Sequence, residues 1–258
     1  MSHIFKTGDC LELIKTLDNN SIDFCYFNPP FGITGCAYDK PLNWPELWPE
    51  IWRVLKPKGT VAIHCSQPFT FDLVASQRKH FKYCWYWRKL GCSPTGFLFS
   101  KYQPSRIMEE ICIFYKNAGY YNPQMVLRDK PYSRGQKDDG EYSIKKDGKP
   151  EIRKSEYYGD GMKRKTIFNK THNHPTHLIE MKRRNHKFST RRIEMCEYFL
   201  KTYSKEGDKI LDLTCSDGQT AIACQNLERF YIGFDLDPEM TKLSQKRLDE
   251  KIFENVEF

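Results

Sequence analysis

Asn28-Pro29-Pro30-Phe31 places a neutral amide, two prolines and an aromatic ring in four consecutive positions. A side-chain amide oxygen beside a carbonyl stiffened by proline makes a pair of acceptors with little freedom to turn away. Such a pair suits gripping the hydrogens of an exocyclic amino group, and the phenyl ring suits stacking on the heterocycle that carries it. The residues before the motif, Ser21 to Phe27, form an apolar run that reads as a buried strand. The motif therefore falls at the C-terminal end of a strand, where ligand sites of open α/β sheets lie. Taken alone, the four residues fit a plain proline turn after a core strand equally well.

A second centre lies far downstream, in Asp212-Leu213-Thr214-Cys215-Ser216-Asp217-Gly218-Gln219-Thr220. Here a short strand gives way to a helix through a small polar turn. Backbone N–H groups and a helix N-terminus can approach a ligand closely at such a turn. Asp235 closes the next strand, and an acid at that place can accept hydrogen bonds from ribose hydroxyls. An ordinary βα turn followed by a surface aspartate reads the same way. No Gly-x-x-x-x-Gly-Lys occurs, so a nucleoside-triphosphate loop is unsupported.

The elements that must position these residues alternate along the chain. Leu11 to Leu17 has helical spacing and leads into the strand Ile22 to Phe27. Trp44 to Leu55 reads as a helix, closed by the turn Lys56-Pro57-Lys58-Gly59. Thr60 to Cys65 is a strand, Pro68 to Lys79 a helix, and Phe81 to Lys89 and Glu110 to Tyr115 are strands. Beyond Lys116 the composition turns to Gly, Lys, Asp and Tyr, as expected of a loop-rich insert at the functional edge. The apolar pattern resumes with a helix at Ile193 to Tyr203. It continues with a strand at Lys209 to Leu213, a helix at Gly218 to Leu227, a strand at Phe230 to Phe234 and a helix from Pro238 to Phe253. The expectation is an α/β fold, a mostly parallel sheet with helices on both faces. One domain divides into a first half (1–116), a basic insert (117–185) and a second half (186–258).

The chain has 258 residues, 39% of them apolar, and a net charge of +8. Residues 163–192 hold ten Lys or Arg (163, 164, 165, 170, 182, 183, 184, 187, 191, 192) against a single acid, Glu180. Aromatics and histidines interleave with this charge, which points to a nucleic-acid contact more than to a solvated face. The ten cysteines are scattered without a Cys-x-x-Cys pair and read as reduced core residues of a cytoplasmic protein. No transmembrane span or signal peptide is expected. No metal is expected either, since His172, His174 and His177 lack a clear fourth ligand.

The two centres together resemble the S-adenosylmethionine-dependent DNA amino-methyltransferases. The specific likeness is to the permuted, β-type group of phage and bacterial modification enzymes, where the catalytic motif precedes the cofactor motif. Gly8-Asp9-Cys10-Leu11-Glu12 and Ser21-Ile22-Asp23 through Gly32 resemble its opening. Thr95-Gly96-Phe97-Leu98, Arg106, Glu109-Glu110-Ile111, Phe114-Tyr115-Lys116 and Tyr121-Asn122-Pro123-Gln124 resemble its middle, with a looser match at His174-Pro175-Thr176. Glu197 to Leu200, Gly207 to Asp212 and Tyr231 to Asp235 resemble its end. Three departures stand out. Asn28 sits where Asp or Ser usually precedes Pro-Pro. The cofactor turn usually reads Asp-Pro-Phe-x-Gly-Ser-Gly-Thr, but here Thr214 stands for Phe, Ser216 for the first Gly, and Asp217 adds a charge. A His-Pro-Thr-Gln-Lys-Pro segment is kept only faintly as Lys187 to Arg192, with Ser189 for Thr and Arg191 for Lys.

The resemblance implies a Rossmann-like fold, S-adenosylmethionine as cofactor and double-stranded DNA as partner. It implies catalysis by Asn28, Pro29, Pro30 and Phe31 on a flipped base. Cofactor contacts would come from Asp9 with Cys10, Ser189, Arg191, Asp212, Thr214, Ser216, Gly218, Thr220 and Asp235. Phosphates would be met by Lys163, Arg164, Lys165, Lys182, Arg183 and Arg184, and the insert would read bases. Adenine N6 is the expected target, with cytosine N4 the alternative. The absence of a Pro-Cys dipeptide argues against carbon-5 methylation of cytosine. Methylation of protein glutamine or RNA, and an inactive DNA-binding subunit of methyltransferase-like fold, are the remaining readings. A homodimer or a methyltransferase partner subunit is compatible with the resemblance, as is a place in a restriction-modification pair.

Overall fold

The computed structural model describes residues 2–91, 94, 96, 100–129, 171–184 and 191–250. They fall into two compact units, one of residues 1–124 and 176–258, the other of residues 125–175. Ten strands and six helices appear among the described residues. In the first unit these are β1 (His3–Thr7), α1 (Cys10–Lys15), β2 (Ile22–Phe27), α2 (Trp44–Val54), β3 (Leu55–Cys65), α3 (Phe69–Ser76), β4 (Phe81–Leu90) and β5 (Met108–Phe114). The second unit supplies β6 (Val126–Leu127) and β7 (His172–Asn173). The first then resumes with β8 (Leu178–Lys182), α4 (Ile193–Tyr203), β9 (Lys209–Asp212), α5 (Gln219–Asn226), β10 (Phe230–Asp235) and α6 (Pro238–Asp249).

Eight strands form one sheet in the order β1-β10-β9-β2-β3-β5-β4-β8. Neighbours run parallel except at β5, which is antiparallel to both β3 and β4. This is the mostly parallel sheet expected from the sequence. Strand β2 is apolar apart from Asp23 near its start because both of its faces are covered. Phe24 and Tyr26 pack with α4 and α5, whereas Cys25 and Phe27 pack with α1, α2 and α3. Helix α2 buries Trp44, Leu47, Trp48, Ile51 and Val54, the i, i+3, i+4 stripe of a core-facing helix. It ends directly in β3. The Lys56–Gly59 stretch, expected as a turn, becomes an irregularity in β3, whose register with β2 jumps from Ile22↔Leu55 to Phe24↔Thr60.

In the second unit, β6 and β7 pair antiparallel, and Arg128 N–H donates to the Thr171 carbonyl at 2.9 Å. Among the described residues no helix is long and apolar enough to cross a membrane, and no cluster of His, Cys, Asp or Glu is arranged to hold a metal ion.

Candidate active site

The sheet topology picks out one crevice. The crossover from β9 through α5 leads toward β10 on one side, and that from β2 through α2 leads toward β3 on the other. Strands β9 and β2 are neighbours, with Leu211 opposite Cys25, so the order reverses between them. Ligands of doubly wound sheets bind outside the carboxyl ends of strands at such a switch point. Asn28 follows the last residue of β2, and the 212–220 turn follows β9. The adjacent strands continue the row. Asp235 ends β10, and Thr7 opposite it ends β1, leading to Asp9. Asp9, Asp235, the turn and Asn28 thus stand in that order on four neighbouring strand ends, a span of roughly 14 Å at the usual strand spacing.

At the β2 end, Asn28 Oδ1 is buried and accepts no hydrogen bond from the described residues. A buried acceptor without a donor is costly, and its free lone pairs fit an amino group. Pro29 is buried behind it. Phe31 stacks on Phe69 of α3, with centroids 5.4 Å apart and planes 18° from parallel. The loop after Phe31 is tied by Asp39, whose carboxylate accepts the N–H groups of Gly32, Ile33 and Thr34 and the Thr34 hydroxyl at 2.7–3.0 Å. Those bonds hold the Asp39 carboxyl below its ordinary range, although burial alone would raise it.

The β9 turn carries two residues in the left-handed region, Ser216 (φ 51°) and Gly218 (φ 82°). Ser216 N–H donates to Asp235 Oδ2 at 2.8 Å, and Ser244 Oγ of α6 donates to the Ser216 carbonyl at 2.7 Å. A Cβ at Gly218 would lie 3.0 Å from Ser244, so glycine also allows the turn to dock on α6. Asp212 is fully buried; its Oδ1 accepts Thr214 N–H at 3.1 Å and its Oδ2 lies 3.9 Å from Arg191 Nη2. Burial pushes its carboxyl above the ordinary value, against the pull of Arg191. Thr214 Oγ1, on the same turn, is also buried without a hydrogen-bond partner among the described residues. Asp235 is also raised, chiefly by burial, while bonds from Asp237 and Ser216 N–H oppose the rise. Asp9 caps α1 by accepting Leu11 N–H at 2.8 Å, and Gly8 N–H donates to the Asp235 carbonyl at 2.9 Å. Cys10 is buried, and burial followed by the Asp9 charge pushes its thiol up to about 12, so it stays protonated.

Two arginines lie elsewhere than a surface role requires. Arg184 is 1% exposed and donates to the Asp217 carboxylate, so it supports the 212–220 turn and has no surface from which to meet a phosphate. Arg191 is equally buried, packed 5.5 Å over the Tyr26 ring and 3.4 Å from Thr220 Oγ1. Lys182 is exposed and Arg183 half-buried. Lys163, Arg164, Lys165 and Ser189 lie outside the described residues.

Sequence reasoning missed three features. Phe69, which backs Phe31, is indistinguishable from any helix-core aromatic. The Asp217 ion pairs join residues distant in sequence. A buried ladder also crosses the sheet: Tyr26 OH meets His64 Nε2 at 2.8 Å, His64 Nδ1 meets Glu109 Oε1 at 3.0 Å, and Lys89 Nζ meets Glu109 Oε2 at 2.6 Å. His64 inside the apolar run Thr60 to Cys65 was the available sign of it. A cavity of about 350 Å³ lined by Tyr83, Tyr115, Tyr120, Tyr121 and Tyr203 lies at the opposite edge of the sheet, by Thr60, and takes no part in this site.

Known proteins share the fold. The chain superposes on TTHA0409, described as a putative DNA modification methylase of Thermus thermophilus, with a TM-score of 0.60 and 19% identity over 97% of this chain and 96% of that one. It superposes on M1.HpyAVI in complex with SAM with a TM-score of 0.58 and 18% identity, covering 95% and 98% of the two chains. For the cytosine-N4-specific PvuII DNA methyltransferase the values are 0.62 and 14%, covering 98% and 90%. These likenesses are of fold. No curated protein sequence matches the chain. The DNA methylase family profile for N6 and N4 enzymes matches residues 22–246, from the start of β2 into α6. The chain belongs to the N6/N4 DNA methylase family.

Proposed function

We propose that this DNA methyltransferase methylates the N6 amino group of an adenine flipped out of double-stranded DNA. The observation that carries the reading is the buried, partnerless Asn28 Oδ1 at the switch point. Its cofactor is S-adenosylmethionine, which when bound supplies a methyl group on a positively charged sulfur. The row of strand ends suits that molecule in length and chemistry. Asp9 lies where an adenine amino group would be met and Asp235 where ribose hydroxyls would be. The 212–220 turn offers backbone N–H groups for the methionine end. Thr214 Oγ1 is free to join them.

Asn28 Oδ1 and the Pro29 carbonyl accept the two amino hydrogens of the target base. These bonds localise the nitrogen lone pair and aim it along the row toward the turn. Phe31, braced by Phe69, stacks on the base. The amide is a poor base, so its contribution is position and electrostatics, and the surplus proton leaves to solvent. Adenine is favoured by the Asn-Pro-Pro-Phe motif together with Thr95-Gly96-Phe97-Leu98, which are similar to adenine enzymes. Cytosine N4 is the second reading, because a cytosine-N4 enzyme is among the similar structures. Incubation with labelled S-adenosylmethionine and duplex DNA, followed by nucleoside analysis, separates the two: N6-methyladenine is expected, and 4-methylcytosine overturns the assignment. Lys182 and Arg183, with the segment at 163–165, are proposed to meet phosphates.

A further inference from the structure

The cofactor turn of this chain holds a side-chain-bearing residue, Ser216, at φ 51°, a region that L-residues enter only under strain. Immediately after it, Asp217 is fully buried. Its carboxylate accepts from Arg247 Nη1 of α6 at 3.1 Å and from Arg184 Nη1, and its backbone carbonyl also accepts from Arg247. Two guanidinium groups from separate parts of the fold thus converge on one carboxylate inside the turn. Ser244, one turn before Arg247 on the same helix, fixes the Ser216 carbonyl. Buried ion pairs of this kind contribute little net stability once desolvation is counted, and their better-attested use is to fix one arrangement.

We propose that Asp217 is a positioning residue for S-adenosylmethionine. Its ion pairs with Arg184 and Arg247 hold residues 216–218 in the conformation that seats Ser216 N–H on the Asp235 carboxylate and shapes the strand-end surface the cofactor would meet. They take over what a glycine at 216 would achieve by freedom of the backbone. The arginine at 184 thereby serves the cofactor and not the DNA. The inference rests on the reading of the 212–220 turn as the cofactor's.

Calorimetric titration of the full chain with S-adenosylmethionine, without DNA, reads the effect directly. Asp217→Asn keeps the shape and removes the charge. It is expected to raise the Kd for S-adenosylmethionine about tenfold and KM in parallel, with kcat within about twofold, as for loss of binding common to ground and transition states. Adding Ser216→Gly to that variant removes the strain that the ion pairs contain, and Kd should return to within about threefold of wild type. An unchanged Kd in Asp217→Asn overturns the proposal, as does lowered thermal stability without a change in Kd, or failure of Ser216→Gly to restore binding. Should Asp217→Asn not fold, Arg247→Lys keeps the charge but loses the planar fork, and the same rise in Kd is expected. An unchanged Kd there overturns the proposal equally. Wild-type protein that binds no S-adenosylmethionine would instead remove the cofactor reading itself.

Discussion

Asn28 Oδ1 is a buried acceptor without a donor among the described residues, and a fold keeps such an atom only at a cost. If its purpose is to grip the target amino group, Asn28→Ala should lower kcat by roughly 100-fold or more while leaving the Kd for S-adenosylmethionine within about threefold, since the grip acts mainly on the reacting nitrogen. Transfer assays beside calorimetry check this, and activity within a few-fold of wild type would remove the role. Phe69 is the corresponding support on the stacking side. Phe69→Ala deletes a buried ring that touches both Phe31 and Trp44, and should destabilise the protein by about 3 kcal/mol in denaturant titrations. It should also raise KM for DNA, because Phe31 loses its backing. Asn28 and Phe31 were legible from residue types alone. Phe69 was not, because its role comes from a contact across 38 positions that nothing in its neighbourhood announces.

Between elements, the ladder Tyr26–His64–Glu109–Lys89 ties β2, β3, β5 and β4 together. Burial lowers the His64 imidazole to about 4, with the Glu109 bond opposing the fall. For Glu109 burial acts to raise the carboxyl, but the His64 bond and the Lys89 ammonium outweigh it and bring it to about 2. Glu109 is therefore ionised and His64 neutral at pH 7, with Nδ1–H donating to Glu109 and Nε2 accepting from Tyr26. The sign of the linkage follows from both shifts. The unfolded chain binds a proton at His64 below pH 6.5, whereas the folded one does so only near 4, so stability falls as pH drops through that window. Glu109 adds a second loss between 4.5 and about 2. His64→Gln should flatten the first part of the profile, removing on the order of 3 kcal/mol of its pH dependence. Urea titrations at stepped pH read it, and an unaltered profile between pH 6.5 and 4 would contradict it.

The strands on either side of this ladder also show what a sequence can and cannot carry. β2 was legible because it is buried on both faces and reads as an apolar run from Phe24 to Phe27. β1 and β8 were not, because each lies at an edge of the sheet and is half-buried to exposed over nearly all of its five positions. The antiparallel direction of β5 leaves no trace in residue types, since its sequence is as apolar as that of a parallel neighbour. The left-handed Ser216 was equally hidden, because it is imposed by α6 from about thirty positions away and not by its own chemistry.

For the whole molecule, the charge of +8 is concentrated in the segment 163–192, yet the fold sorts that segment into different jobs. Arg184 and Arg191 are buried against the 212–220 turn and Tyr26, while Lys182 is exposed. Replacing Lys182 and Arg183 together with Ala should weaken DNA binding at all sequences and reduce the salt slope by about 2, one unit per phosphate contact. Arg184→Met should leave that slope unchanged and weaken S-adenosylmethionine binding instead. Filter binding over a series of salt concentrations distinguishes them, and a slope that responds to Arg184 but not to Lys182 and Arg183 would reverse the assignment. The central claim, amino-methylation at an Asn28-centred grip, is tested most directly by one measurement. Wild-type protein and Asn28→Ala are each incubated with labelled S-adenosylmethionine and duplex DNA, and the nucleosides are resolved. The account predicts label in N6-methyladenine for wild type and none for Asn28→Ala; label in 4-methylcytosine, no labelled base, or equal label in both proteins would contradict it.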